Sequence, residues 1–399
     1  MLMYGVIFEC LDPILTVACA LAYRDPWVLP VSSDGRRRAS AIKRGFAEKG
    51  GSGGASDHMA TIAAFAQFCH IERNGDAWSF CNSNFLSAPT LRMIKGMRDQ
   101  LVNELISRGF ITSLSSASGN ATNPELVRST IACGLYPNYG RLGTNHANER
   151  NPKPSMVNHQ NVRVRIHPCS VNSSLSNPVL DQDDLGRNTV LVYDELVRGD
   201  ARVNVKSTTE ANPHAIILFA STLGLRKVAD EGDEDMGQGD LSADVRRVSD
   251  ARSIERLRGG EVIIKVDNFL NFRMPTVSAI CLALLRMRSI SAFAYRASHA
   301  RHQLPEALRE AVRLTANVFL YDGHTFAERG AYLFPSYADG GHGGSQRDAG
   351  NSGSGRGGQS SRGGRGSRGG LDSRGNRGGG RGMYRGGGRG RGTGRRGSL

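Results

Sequence analysis

Lysine is absent from residues 340–399 of this 399-residue chain, and so is any long hydrophobic run from the chain as a whole. The longest uncharged apolar-rich stretches, residues 13–23 and 275–285, are eleven residues each. A membrane-spanning helix needs ~20, so both are expected to be core helices and no membrane partner is expected. Seven cysteines, Cys10, Cys19, Cys69, Cys81, Cys133, Cys169 and Cys281, never form a C-x-x-C pair. That spacing favours reduced structural thiols over a zinc ribbon or a disulfide framework. No G-x-x-x-x-G-K-[ST] occurs, so no loop is available whose backbone N–H groups and adjacent lysine could cradle nucleotide phosphates. Residues 1–9 lack the basic region and small-residue cleavage site of a secretory signal, and an intracellular location, nucleus or cytoplasm, is expected.

Charge is unevenly distributed. Residues 340–399 hold 13 Arg against Asp348 and Asp372, a surplus of 11 out of the chain's net +14, which leaves only +3 for residues 1–339. A near-neutral body with a basic, low-complexity tail is the pattern of a nucleic-acid binder, and a tail with nothing to bury is expected to be disordered.

Within the body, Asp12-Pro13 reads as an N-cap and first helical position, followed by Ile14, Val17, Ala18 and Leu21 on one helical face and by the stop Asp25-Pro26. After Arg36-Arg-Arg38, Lys43-Arg44 and the glycine run at 50–54, Ser56-Asp57-His58 reads as the capping stretch of a helix carrying Met59, Ile62, Ala63, Ala66 and Cys69. A third helix is expected from about Pro89 to Arg108, with Leu91, Ile94, Leu101 and Leu105 on one face. Asn123-Pro124 repeats the cap-plus-proline signal ahead of Leu126, Val127, Ile131 and Leu135. The period then changes: 162–166, 190–193, 203–206 and 261–266 are short β-rich runs. A long helix is expected from about Pro275 to Ala300, with Val277, Ile280, Leu284, Met287 and Ile290 on one face. The acidic run at 230–235 lacks the alternating ligands and glycine of a calcium loop and reads as solvated.

Several of these stretches carry a family resemblance. Cys10-Leu-Asp-Pro-Ile-Leu-Thr-Val-Ala-Cys-Ala-Leu-Ala-Tyr-Arg-Asp-Pro-Trp-Val28, Ser56-Asp-His-Met59, Ser87-Ala-Pro-Thr-Leu-Arg-Met93 and Cys133-Gly-Leu-Tyr-Pro-Asn138 resemble the helicase-associated, ratchet domain of DEAH/DExH-box RNA helicases. Arg165-Ile-His-Pro-Cys-Ser-Val-Asn172, Val192-Tyr-Asp-Glu-Leu-Val197 and Pro213-His-Ala-Ile-Ile-Leu-Phe-Ala220 resemble the OB-fold domain that follows it, and the Arg/Gly tail is similar to that of the RNA helicase A type. The resemblance implies an α+β multidomain chain. It would consist of a ratchet helical bundle over 1–140, opening on the end of a winged-helix segment, and a polar loop over 141–160. An OB-fold barrel over 161–310, with an acidic insertion and a closing helix, and a disordered tail over 340–399 would complete it. In that family two RecA-like motor domains precede this region and bind ATP and magnesium. No Asp-Glu-x-His occurs here, so the chain is expected to have no catalytic residues or cofactor of its own and to be inactive alone. Those motor domains, in cis or in trans, are then expected partners. The other reading is a stand-alone, non-catalytic RNA-binding or scaffold protein derived from a helicase.

The expected partner is RNA or single-stranded nucleic acid, and the tail carries the signal. Arg356, Arg362, Arg368, Arg377 and Arg385 each open an Arg-Gly-Gly, and Arg365, Arg374, Arg381, Arg389 and Arg391 lie between or after them. Guanidinium groups bind phosphate bidentately and stack on bases, which lysine does poorly. Glycine leaves the backbone free to follow a strand, and Tyr384 offers a stacking ring. In the body, Lys95 and Arg98 with Arg92 form an i, i+3, i+6 basic row, and Arg163, Arg165 and Lys206 sit on or beside barrel strands. Cys69, His70, Cys81 and His58 match no zinc spacing, so no metal site is expected. His167 and His214 read as packed residues.

Overall fold

The computed structural model describes residues 1–51, 55–142, 155–174, 189–198, 203–227 and 260–320. Residues 1–339 and 340–399 are two separate units, and every described residue falls in the first. The N-terminal part is helical. After α1 (Leu2–Ile7), α2 (Leu11–Ala22) is capped by Cys10 without a side-chain bond, and Asp12 and Pro13 lie inside its first turn. This corrects the expected Asp12 cap. Proline is tolerated there because first-turn N–H groups have no intrahelical acceptor, and the Asp12 carboxylate is taken by Arg98. Ile14 and Val17 join one core cluster, Leu11 and Leu15 a second, and Cys19 a third. A helix that is apolar around most of its circumference belongs in the middle of a bundle.

The sequence periodicity does not single out α3 (Ser33–Lys49), because its buried row, Ala39, Lys43, Phe46 and Ala47, is interrupted by a lysine. α4 (Asp57–Asn74), α5 (Ala77–Ser83) and α6 (Ala88–Ser107) begin at side-chain caps from Ser56, Asp76 and Ser87, each worth about 1 kcal/mol. Phe46, Phe65, Phe68, Leu91 and Ile94 fill the core between them. α7 (Pro124–Leu135) starts where Asn123-Pro124 predicts, with Asn123 Oδ1 accepting the Leu126 N–H at 3.2 Å.

Five strands follow: β1 (Tyr139–Leu142), β2 (Ser155–Asn158), β3 (Arg163–Ile166), β4 (Val190–Arg198) and β5 (Val203–Glu210). They close into a barrel in the order β1-β2-β3-β5-β4, antiparallel except where β3 meets β5. A closed five-stranded barrel with this crossover is the arrangement of an OB fold. Its interior is Met156, Val164, Ile166, Leu191, Tyr193 and Val205. The expected boundaries shift as a result. Residues 141–160 hold the end of β1 and all of β2, so the barrel begins at Tyr139 rather than 161 and ends at Glu210. β1, Tyr-Gly-Arg-Leu, and β2, Ser-Met-Val-Asn, lack the strict apolar–polar alternation that marks β3 in sequence.

The strand at 261–266 is not in the barrel. After α8 (Pro213–Phe219), β6 (Leu223–Lys227), β7 (Glu261–Val266) and β8 (Leu270–Pro275) form a separate antiparallel sheet, followed by α9 (Thr276–Ser298) and α10 (Glu306–Leu320). By length and composition α9 could cross a membrane, but Ala279, Leu282 and Leu285 belong to the core cluster that contains Val262, Ile264 and Phe272 of the sheet. Of the apolar face expected from the sequence, Ile280 is buried, whereas Leu284, Met287 and Ile290 are 37%, 58% and 41% exposed. The helix has a second apolar face, and the sheet selects the other one. Arg286 on α9 donates to the carbonyls of Ile217 and Leu218 at 3.1 and 3.2 Å and also to that of Ala220, near the end of α8. The hydroxyls of Tyr136 and Tyr139 donate to Asp267 Oδ2 at 2.7 and 2.9 Å, which ties the barrel to the sheet.

Candidate nucleic-acid cleft

The helical part and the barrel meet at Ser56-Asp57-His58, the first residues of α4 and its cap. Ser56 forms a bridge to Thr209 of β5, and the Ala55 carbonyl accepts the Glu210 N–H at 3.0 Å. Asp57 is the centre of this seam. Its carboxylate accepts from Lys43 Nζ at 2.8 Å, the Val171 N–H at 3.0 Å, the Thr208 N–H at 2.8 Å and the Ser170 hydroxyl. Lys43 comes from α3, and the other donors belong to the barrel and the short turn after β3. Burial alone would push the Asp57 carboxyl up, but the Lys43 ammonium and the hydrogen bonds outweigh it and hold it below its ordinary value. Burial likewise works against charge on Lys43, and Asp57 reverses that, so the ammonium is held above its ordinary value. The Asp57 carboxylate has four protein donors in place of water, which is the condition for a buried ion pair to be tolerated.

Above this seam lies a cleft of about 1100 Å³ between the end of α2 and α3 on one side and, on the other, β4, β5 and the turn after β3. The helical wall carries Arg24, Arg36 and Arg37. All three are exposed, and their side chains have no carboxylate or hydrogen-bond partner among the described residues. The barrel wall carries His167, Asp194, Glu195 and Lys206, with Lys206 paired to Glu195 at 3.3 Å. Burial, reinforced by Lys206 and Lys43, holds His167 below its ordinary value, and burial with Glu195 alongside raises Asp194. Lys43, Asp57, His58, Thr61 and Ser170 contribute to the lining from the seam. Trp27 closes one end, its indole N–H donating to Thr61 Oγ1 at 3.1 Å. The two walls therefore differ in sign. An anionic backbone is drawn to the arginines and repelled by the acids opposite.

The basic row on α6 is engaged within the protein. Arg98 is 9% exposed and donates to the Asp12 carbonyl at 2.5 Å, to the Asp12 carboxylate and to the Thr16 hydroxyl, with its guanidinium over the Phe65 ring. Its guanidinium is thus held inside the helical part rather than presented on its surface. Arg92 and Lys95 both bond to Glu72, at 3.0 and 2.8 Å. Lys206 borders the cleft, whereas Arg165, on the strand beside it, does not. Arg356, Arg362, Arg365, Arg368, Arg374, Arg377, Arg381, Arg385, Arg389 and Arg391, and the acidic run at 230–235, lie outside the described residues. Sequence reasoning missed Arg36 and Arg37. A usable signal was present: Arg36, Ser40, Lys43 and Arg44 fall at i, i+4, i+7 and i+8, the spacing of one helical face, and all four border the cleft. Among the described residues no group of three or more His, Cys, Asp or Glu is placed to hold a metal ion.

Residues 1–61 match the helicase associated domain (HA2), ratchet-like, and residues 127–223 match the oligonucleotide/oligosaccharide-binding (OB) fold. A ratchet followed by an OB barrel in one chain is a C-terminal helicase region. The relatives show it to be of the DExH-box type. The DExH-box ATP-dependent RNA helicase DExH6 of Arabidopsis thaliana is 30% identical over 347 residues, covering 81% of this chain and 26% of the relative. DExH1 of the same plant is 33% identical over 280 residues, 70% of this chain and 25% of the relative. The ATP-dependent DNA/RNA helicase DHX36 of Homo sapiens is 27% identical over 237 residues, 58% and 22% respectively. The chain thus spans about a quarter of the length of these relatives.

Proposed function

We propose that this chain is the RNA-binding C-terminal part of a DExH-box ATP-dependent RNA helicase, holding and gating a single strand for RecA-like motor domains that its own residues do not contain. The observation that carries the proposal is the cleft at the ratchet–barrel seam. Its helical wall offers unpaired arginines to the phosphates, and its acidic barrel wall turns the backbone away and leaves room for the bases. ATP and magnesium belong to the motor domains in this reading. The Arg/Gly tail adds a salt-sensitive grip on the strand outside the cleft.

The test is a titration of the purified chain with fluorescent single-stranded RNA at rising salt. The paired charge reversal R36E/R37E should weaken binding at least about tenfold and reduce the salt slope by about two, since each phosphate left without its arginine lowers the slope by roughly one. An unchanged slope would remove the strand from the cleft. Deleting residues 340–399 should abolish most of the low-salt affinity and leave the cleft's contribution measurable. RNA-stimulated phosphate release by this chain alone would overturn its assignment as the part without the motor.

A further inference from the structure

Exposed apolar side chains gather in the connection between α2 and α3. Tyr23, Val28, Leu29 and Val31 are 50%, 47%, 51% and 93% exposed, and the first three border the cleft. A lone exposed aromatic is ordinary on a protein surface. These three instead share one wall of the cleft with Arg24, Arg36 and Arg37. The backbone that presents them is pinned at both ends. The Tyr23 N–H closes α2 by donating to the Cys19 carbonyl at 3.1 Å. Beyond it, the Val28 N–H donates to the Phe85 carbonyl at 2.8 Å and the Pro26 carbonyl accepts the Ser87 N–H at 2.9 Å. The two aromatic rings of this connection have different fates. Trp27 is used internally, meeting Phe46 edge-on at 5.7 Å between ring centroids and bonding to Thr61. The Tyr23 side chain has neither a hydrogen bond nor a ring contact among the described residues.

We propose that Tyr23 is a base-stacking residue of the cleft, its ring taking the face of one base of the single strand whose phosphates the neighbouring arginines hold. The proposal rests on the nucleic-acid reading of that cleft and adds a contact made to a base rather than to charge. Arg24 follows Tyr23 directly, so an unpaired guanidinium and an unpartnered ring leave the end of α2 together. That pairing of cation and aromatic is what grips a single strand, because every unpaired base offers a π-face along with its phosphate. The contact is therefore selective for unpaired bases and indifferent to sequence. A ring mounted on a pinned backbone also loses little freedom when a base settles on it, which leaves more of the stacking energy for binding. The arginines decide between occupants: an apolar protein surface would leave three guanidinium groups without counter-charge, whereas a nucleotide satisfies them and the ring together.

The test uses the full chain and two labelled probes of equal length, oligo(A) and an abasic ribose-phosphate strand, followed by fluorescence anisotropy across salt concentrations. Tyr23→Ala should weaken oligo(A) binding about fivefold or more. The factor should be the same at each salt concentration, because an uncharged ring displaces no counterion. Tyr23→Phe keeps the ring and should bind oligo(A) as wild type does. Both variants should match wild type on the abasic probe, which has nothing to stack. Wild-type affinity of Tyr23→Ala for oligo(A) overturns the proposal and leaves the exposed patch to a contact with protein. An equal loss on both probes also overturns it, since the ring would then support the wall rather than hold a base. If Tyr23→Ala melts early, Tyr23→Leu decides, because it keeps apolar bulk without a π-face. Weaker oligo(A) binding than Tyr23→Phe supports stacking, and equal binding sinks it. The salt slope of R36E/R37E tests the cleft separately, so failure there is distinguishable from failure of Tyr23.

Discussion

Two helices of the N-terminal helical part carry basic rows, and the fold uses them in opposite ways. On α6, Arg98 is buried against Asp12, Thr16 and Phe65, and Arg92 and Lys95 share Glu72. On α3, Lys43 is buried in the seam while Arg36 and Arg37 stand at the cleft without a carboxylate partner among the described residues. The α6 row looks the more regular in sequence, yet it binds the protein to itself. What separates the two is which acids reach them: Asp12 and Glu72 bond to the α6 row, whereas on α3 Asp57 takes Lys43. A basic row therefore marks a nucleic-acid face only after its internal partners have been subtracted.

The sharpest way to break this contrast is at the seam. Asp57→Ala leaves Lys43 as an uncompensated buried charge and strips several barrel donors of their acceptor. A loss of about 3–5 kcal/mol in urea unfolding is expected, and a loss under about 1 would mean the pair is dispensable. Acid should strain the same seam. His58, pushed down to about 4 in the fold, recovers its ordinary pKa of about 6.5 when unfolded. Between those values the unfolded chain binds the extra proton, so stability falls as pH drops below about 6.5, by on the order of 3 kcal/mol by pH 4. His214, pushed down to about 3 by burial, acts in the same direction. Asp57, held below its ordinary value, contributes stability that is lost only at still lower pH. Unfolding of H58N across this range should show a visibly shallower decline.

The two rows can then be compared directly. Arg98→Ala should cost about 2 kcal/mol of stability through lost packing and hydrogen bonds while leaving the salt slope of RNA binding unchanged. Arg36→Ala should do the reverse, with stability within about 0.5 kcal/mol of wild type and the slope lower by about one. Lys95→Ala removes an ion pair between partly exposed side chains and should change stability by less than about 1 kcal/mol. A slope change in Arg98→Ala, or none in Arg36→Ala, would collapse the distinction.

Much of the helical part was legible because its signals are local. Asn123-Pro124 marks the start of α7, and Ser56 and Ser87 cap α4 and α6. The misplacements have specific causes. α3 is hidden in sequence because Lys43 occupies a core position, β1 and β2 because they lack strict alternation, and the orientation of α9 because both of its faces are apolar. Asp57 reads as part of a cap, and only the barrel shows that its carboxylate is the junction.

By itself, the sequence determined the order of helices and then strands, the absence of nucleotide-binding motifs and the arginine surplus of residues 340–399, since each is a property of neighbouring residues or of composition. Tertiary structure alone decided which charges are buried and which face the cleft. Arg98 meets Asp12 across 86 positions and Asp57 meets Thr208 across 151. Whether a charge stays in water depends on which distant acid or donor the fold brings to it, and no local pattern contains that information.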